Sequence, residues 1–164
     1  MIKLLQLTLG LLFILTLQAQ AAEEQRPLSA DQPIEITARQ LEAFQQQGKA
    51  IFSGSVVAKQ GNITLYCEKL VAYTQTGQQQ VDHLEAFGNV RVVQLNRTAT
   101  ADRAIYRHRQ GTLVLIGHAE LHQEQNQVSG AEITVFLKEN RSVVKSNDGG
   151  RVKALLFPEP KQEQ

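Results

Sequence analysis

Few of the 164 residues are placed to do covalent chemistry. His118, Glu120 and His122 form the densest set of metal-ligating side chains. On a strand, residues four apart share a face but stand about 13 Å apart, too far to meet one ion. Glu120 would complete a metal set only on a loop. His83 and His108 are isolated, and Cys67 is the single cysteine, with no base or second ligand beside it. It reads as a small apolar residue buried on a strand. No Ser, Cys or Asp stands in a nucleophile motif, and no glycine leads into the Gly-Lys-Ser/Thr of a phosphate loop. No catalytic residue, metal site or cofactor is expected, and the chain does not read as an enzyme.

The charged residues say more. Arg91, Arg97, Arg103, Arg107 and Arg109 fall within 19 residues and are opposed only by Asp102. Guanidinium groups pair with phosphate through two parallel hydrogen bonds, which makes Arg91, Arg103 and Arg107 candidate phosphate contacts. The same arginines alternate with apolar neighbours, the pattern of a solvated outer face that also discourages edge pairing. Glu68, Asp102 and Glu132 recur at equivalent places. That distribution suits turn or strand-entry acids in a repeat rather than one active site.

The elements that must position these residues are repeated. Phe52-Ser53-Gly54-Ser55-Val56-Val57, Phe87-Gly88-Asn89-Val90-Arg91-Val92 and Ile116-Gly117-His118-Ala119-Glu120-Leu121 share a large apolar residue, a glycine and an alternating run, with glycine spacings of 34 and 29 residues. Units that cannot bury their own apolar face must stack on their neighbours. Turns are marked by Gln45-Gln46-Gln47-Gly48, Gln60-Gly61-Asn62, Thr76-Gly77-Gln78-Gln79-Gln80 and Arg109-Gln110-Gly111. Pro33 opens a first strand over 34–38, and Asp148-Gly149-Gly150 introduces a last one over 151–157. No apolar 3.6-residue period persists, so almost no helix is expected. The segment 39–47 places Leu41 and Phe44 three apart, yet it stands where a strand is due.

The N-terminus reads as a cleavable secretory signal. Lys3 precedes an apolar stretch over 4–17, and Ala19-Gln20-Ala21 supplies a small-residue site, so 1–21 is expected to be removed. A polar leader over 22–32, a β-domain over 33–158 and a loose polar tail over 159–164 follow. Removing Lys3 from the 17 basic residues leaves them equal in number to the 16 acidic ones. A neutral chain is not built to capture nucleic acid by bulk electrostatics. Tryptophan is absent and aromatic residues make up 5%. An interior of Val, Leu, Ile and Ala suits acyl chains better than sugar rings, which stack on aromatic faces.

Asp31-Gln32-Pro33-Ile34-Glu35-Ile36, the Phe52-x-Gly54-x-Val56 strand, Asp102-x3-Tyr106, Gly117-x-Ala119-x-Leu121 and Gly130-x-Glu132-Ile133, in this order and spacing, resemble the LptA/OstA family. The resemblance spans 31–158. It implies an all-β fold, an open twisted β-jellyroll of stacked antiparallel hairpins with two facing sheets. It also implies a periplasmic protein that holds the lipid A part of lipopolysaccharide inside the roll. Such a protein stacks head to tail with copies of itself, and with inner-membrane LptC-like and outer-membrane LptD-like jellyroll domains. The Gln78-Gln79-Gln80-Val81 hairpin departs from the family pattern, so no loop contacts carry over.

Side-chain parity assigns the lining. Ile34 and Ile36 share a face, as do Phe52 and Val56 with Ile63 and Leu65 on the returning strand. Val90, Val92, Ala104, Tyr106, Leu113, Leu115, Val135 and Leu137 continue the series. Parity serves a closed core equally well. An open roll leaves a free strand at each end, where a partner can add by backbone pairing. Ile34 and Ile36 on the first strand, and Val152, Leu155 and Phe157 on the last, are the candidate assembly residues. A passive scaffold or a glycan-binding β-solenoid is the alternative, and the low aromatic content argues against glycan.

Overall fold

The computed structural model describes residues 32–75, 80–147 and 149–158. The expected signal segment, most of the leader, the tip of the 76–80 turn and the tail lie outside the described residues. Among the described residues ten strands form one antiparallel sheet: β1 (Glu35–Thr37), β2 (Gln40–Phe44), β3 (Lys49–Gln60), β4 (Ile63–Thr74), β5 (Val81–Gln94), β6 (Arg97–Arg107), β7 (Thr112–Gln123), β8 (Asn126–Phe136), β9 (Arg141–Lys145) and β10 (Lys153–Leu155). The six long strands β3 to β8 pair in chain order. β1 and β2 both pair with β3, and β9 and β10 both pair with β8. The segment 39–47 is therefore a strand followed by a single 3-10 turn, Gln45–Gln47. That turn is the only helical element among the described residues.

The repeated glycines mark where the sheet folds over. The register slips between Ser53 and Val56, between Phe87 and Val90, and between Ile116 and Ala119. In each case Gly-X sits in the slip with φ above zero at both residues: Gly54 and Ser55, Gly88 and Asn89, Gly117 and His118. A β-bulge of this kind bends its strand and sharpens the twist. On the intervening strands the inward alternation skips a step. After Cys67 the next inward side chain is Leu70, and after Ala101 it is Ala104, so Glu68-Lys69 and Asp102-Arg103 face outward in pairs. The recurring acids brace the bends. Glu68 Oε1 accepts 2.7 Å from Asn89 Nδ2, and Asp102 Oδ2 lies 2.9 Å from His118 Nδ1.

The bends align across the strands and divide the sheet into two layers. One carries 56–60, 63–67, 90–94, 97–101, 119–123 and 126–130. The other carries 49–53, 69–74, 81–87, 103–107, 112–116 and 132–136. The two facing sheets expected from the sequence are thus two halves of one continuous sheet. The layers meet face to face, since Tyr106 Oη donates to Gln60 Oε1 at 3.1 Å across 46 residues of chain. Leu70, Leu115 and Ile133 are fully buried beside the bend line.

Candidate functional site

The space between the layers is lined by register rows. Ile36, Ala58, Leu65, Val92, Ala99, Leu121, Val128 and Ala154 are successive partners across one layer. Leu41, Phe52, Leu70, Ala86, Ala104, Leu115, Ile133 and Val144 run across the other. Beside the second runs Ala50, Ala72, Leu84, Tyr106, Leu113, Val135 and Ser142. Cross-strand partners point to the same face, so each row is a stripe along the stacking direction. Together they make a trough.

Every residue expected to line the groove takes an inward position. Val56, Leu65, Val90, Val92, Ala104, Leu113 and Leu115 lie in its buried core. Ile34, Ile36, Phe52, Ile63, Tyr106 and Val135 pack half-buried against it. Leu137 lines the cavities at its mouth. Parity missed the alanines, because Ala58, Ala72, Ala86, Ala99, Ala101 and Ala119 carry no apolar bulk to stand out in an alternating run. Their smallness matters, since it leaves width between the layers that Leu or Ile would fill.

The mouth runs along the hairpin tips. A cavity of about 150 Å³ opens there over Ile63, Val92, Ala99, Leu113, Leu121 and Val135, rimmed by Gln94, Arg97, Gln123, Asn140 and Ser142. A second, of about 50 Å³, shares Ile63, Val92, Leu113 and Leu137 with it and reaches Ile34, Gln60 and Tyr106. Two side-chain hydrogen bonds cross the mouth: Tyr106 to Gln60, and Arg97 Nη1 to Asn140 Oδ1 at 2.9 Å. Gln60 is buried and also donates from Nε2 to the Gln32 carbonyl at 2.9 Å. Burial pushes the Tyr106 phenol above its ordinary pKa. A larger, open space of about 410 Å³ lies outside the trough near Gly117, His118, Ser146 and Arg151.

The arginines separate by register. Arg91 faces outward, its guanidinium 4.3 Å from the Tyr66 ring centroid. Arg103 faces outward too, 3.0 Å from Glu85 Oε2 and over the Phe87 ring. Arg107 occupies the same outward column, paired with His83 and Thr112. The three candidate phosphate contacts therefore point away from the trough, because odd positions after the bend line point out, although Arg107 stands at the hairpin tip that ends β6. Arg97, set aside by the sequence reading, is the one that faces in. Arg109 binds Asp82 at 2.8 Å. Hydrogen bonds from His83 and Arg109 hold the Asp82 carboxyl below its usual range.

At the first end, Ile34 and Ile36 pack half-buried against the core, and Ile36 lies on β1, which pairs only with β3. The exposed large apolar residues there are Leu41, on an inward row, and Phe44 of β2. Val152, Leu155 and Phe157 are exposed at the far end, beside Leu156 at 69%. His118 and His122 engage Asp102 and Glu120 separately. Among the described residues no cluster of His, Cys, Asp and Glu could hold a metal. Burial pushes the Cys67 thiol up to about 11.

The family model for LptA and LptD N-terminal LPS transport proteins matches residues 35–141. The chain belongs to this family. It is a transport family and not a family of enzymes. The lipopolysaccharide export system protein LptA of Escherichia coli K12 is 29% identical over 140 residues, covering 82% of this chain and 76% of that protein. A Rhizobium meliloti protein is 28% identical over 143 residues, with the same coverage. The crystal structure of LptH, described as the LptA-homologous periplasmic component of the lipopolysaccharide transport device of Pseudomonas aeruginosa, superposes with a TM-score of 0.73. It is 22% identical and is covered completely, against 80% of this chain. That likeness is one of fold. Among the described residues no helix is long and apolar enough to cross a membrane.

Proposed function

We propose that this member of the lipopolysaccharide transport family is exported, cut after Ala21, and works in the periplasm as a carrier for the acyl chains of lipid A, through the domain spanning 33–158. The observation that supports this is the trough: apolar rows from ten strands converge between two layers that leave one long margin unpaired. Burial of each CH₂ group contributes on the order of 0.8 kcal/mol, so a ligand with several chains favours a long stripe over a compact pocket. The two cavities are smaller than the roughly 300–1,000 Å³ of a site for a drug-sized ligand. The trough accordingly widens at its mouth to admit a chain. A photo-crosslinking residue at Ile36 or Val92 is expected to yield lipopolysaccharide adducts. No adduct at any inward apolar position on several strands would end this reading.

The unpaired ends carry the second half of the proposal. β1 and β2 at one end, β9 and β10 at the other, present backbone groups beside Leu41, Phe44 and Val152 to Phe157. Addition of one sheet to another along these edges continues the apolar rows from chain to chain, and to jellyroll domains of LptC-like and LptD-like partners. Sedimentation should show mass rising with concentration. Deleting residues 151–157 should abolish the rise, and persistence of growth in that variant would remove β10 from the contact.

A further inference from the structure

The tips of the mouth carry a polar row. Gln94, Arg97, Gln123 and Asn126 are register partners across β5 to β8, so all four share the inward face with the apolar floor one step below. Arg97 is the only charged side chain around the 150 Å³ cavity, and no carboxylate lines that cavity. Arg103, Arg109 and Arg141 each pair with an acid. Among the described residues Arg97 has none, and its guanidinium meets only the neutral amide of Asn140. A guanidinium offers five N–H donors in a fork, and the Asn140 oxygen accepts from one nitrogen of it. A cation beside a low-dielectric aliphatic wall is screened less than one on an open surface.

We propose that Arg97 is the anion-binding residue of the groove mouth and exchanges Asn140 for a phosphate group of the acylated ligand whose chains lie on the floor beneath. The assignment rests on the lipid-carrier reading above and adds to it the point at which the head group is held. Fork geometry suits two phosphate oxygens better than one amide oxygen. The exchange couples loading to opening, since the bond that Arg97 gives up is one of the two that span the mouth. Arg91, outward on the neighbouring strand, is the internal control.

The test is binding of the full mature chain to diphosphoryl lipid A and to its phosphate-free counterpart. Wild type is expected to prefer the phosphorylated form by about tenfold. Arg97→Gln should erase that preference without weakening binding of the phosphate-free lipid, since the bond lost with it held the mouth shut. Arg97→Lys should keep part of it, and Arg91→Gln all of it. A preference that survives Arg97→Gln, an equal loss for both lipids, or an equal effect of Arg91→Gln would overturn the assignment. So would loss of the preference in millimolar inorganic phosphate, which would mark a free-anion site. Wild type binding both lipids equally sinks the Arg97 assignment alone. Wild type binding neither sinks the carrier reading itself.

Discussion

The two long margins of the folded sheet are held by different means. Along the bend, the backbone does the work. The six long strands β3 to β8 continue through it, and Gly88, at φ 78°, leaves no room for a Cβ, which would lie 2.8 Å from Glu68 Oε2 and 3.0 Å from its Cβ. Gly117 is similarly blocked by Asp102. Along the mouth, only Tyr106–Gln60 and Arg97–Asn140 join the layers by side-chain hydrogen bonds among the described residues. Each such bond contributes about 1 kcal/mol net. Opening the mouth therefore costs about 2 kcal/mol in hydrogen bonds, which burial of about three CH₂ groups outweighs. Opening the bend would break the ladder. One margin acts as a spine and the other as a seam, and a carrier that must load and unload along its length needs both.

The largest blow to this contrast falls on the spine. Leu70 is fully buried next to the bend, and Leu70→Ala should cost about 3 kcal/mol, read as a lowered urea midpoint. Leu137→Ala, at the seam, should cost less than half of that, because the cavity it borders already opens to solvent. Equal losses would mean that the layers are held as tightly at the mouth as at the bend. Next in size is Gly88→Ala, at about 1–2 kcal/mol from forcing a side chain into positive φ against Glu68. The cost should fall in Gly88→Ala combined with Glu68→Ala, which removes the carboxyl contact and leaves the backbone strain and the Cβ contact. An unchanged cost in the double variant would mean that the carboxyl contact contributes nothing.

These margins were unequally visible in the amino-acid sequence. The spine announced itself, because a bulge that needs φ above zero at two successive residues selects glycine and repeats with the strands. Val56, Val90 and Leu115 followed by parity, since the bulge strands keep their alternation in phase through the bend. β4 and β6 do not, and a reading by twos from Leu65 would have pointed Leu70 outward. The seam left almost no trace. Arg97 differs from Arg91 and Arg103 only in register, which depends on where each bend falls, and Asn140 lies 43 residues away in the chain. The ends were half visible: the sticky residues 155–157 stood out, whereas Leu41 was hidden in a segment with no clear period.

A smaller effect isolates one stitch of the seam. Tyr106→Phe keeps the ring in its row and removes the hydroxyl that Gln60 accepts from. Stability should fall by about 1 kcal/mol, with fluorescent fatty-acid uptake faster than in wild type. Slower uptake would show that this bond shapes the open mouth rather than holding it shut.

The smallest effect tests the spine without disturbing it. Cys67 lies one residue before the bend line, paired with Val56, and burial raises its pKa from 9.0 to about 11. The unfolded chain releases this proton more readily than the folded one. Its contribution is therefore nil at neutral pH and turns against folding as pH rises through 9 toward 11. At pH 9 the loss is a fraction of 1 kcal/mol, about that of a half-ionised thiol in the unfolded chain. Comparing the change in stability from pH 7 to pH 9 between wild type and Cys67→Ala cancels the other titrating groups and leaves this one. A wild-type slope no steeper than the variant's would mean that the thiol ionises as freely in the fold as outside it. That outcome requires water at the spine, and the two margins would then differ in degree and not in kind.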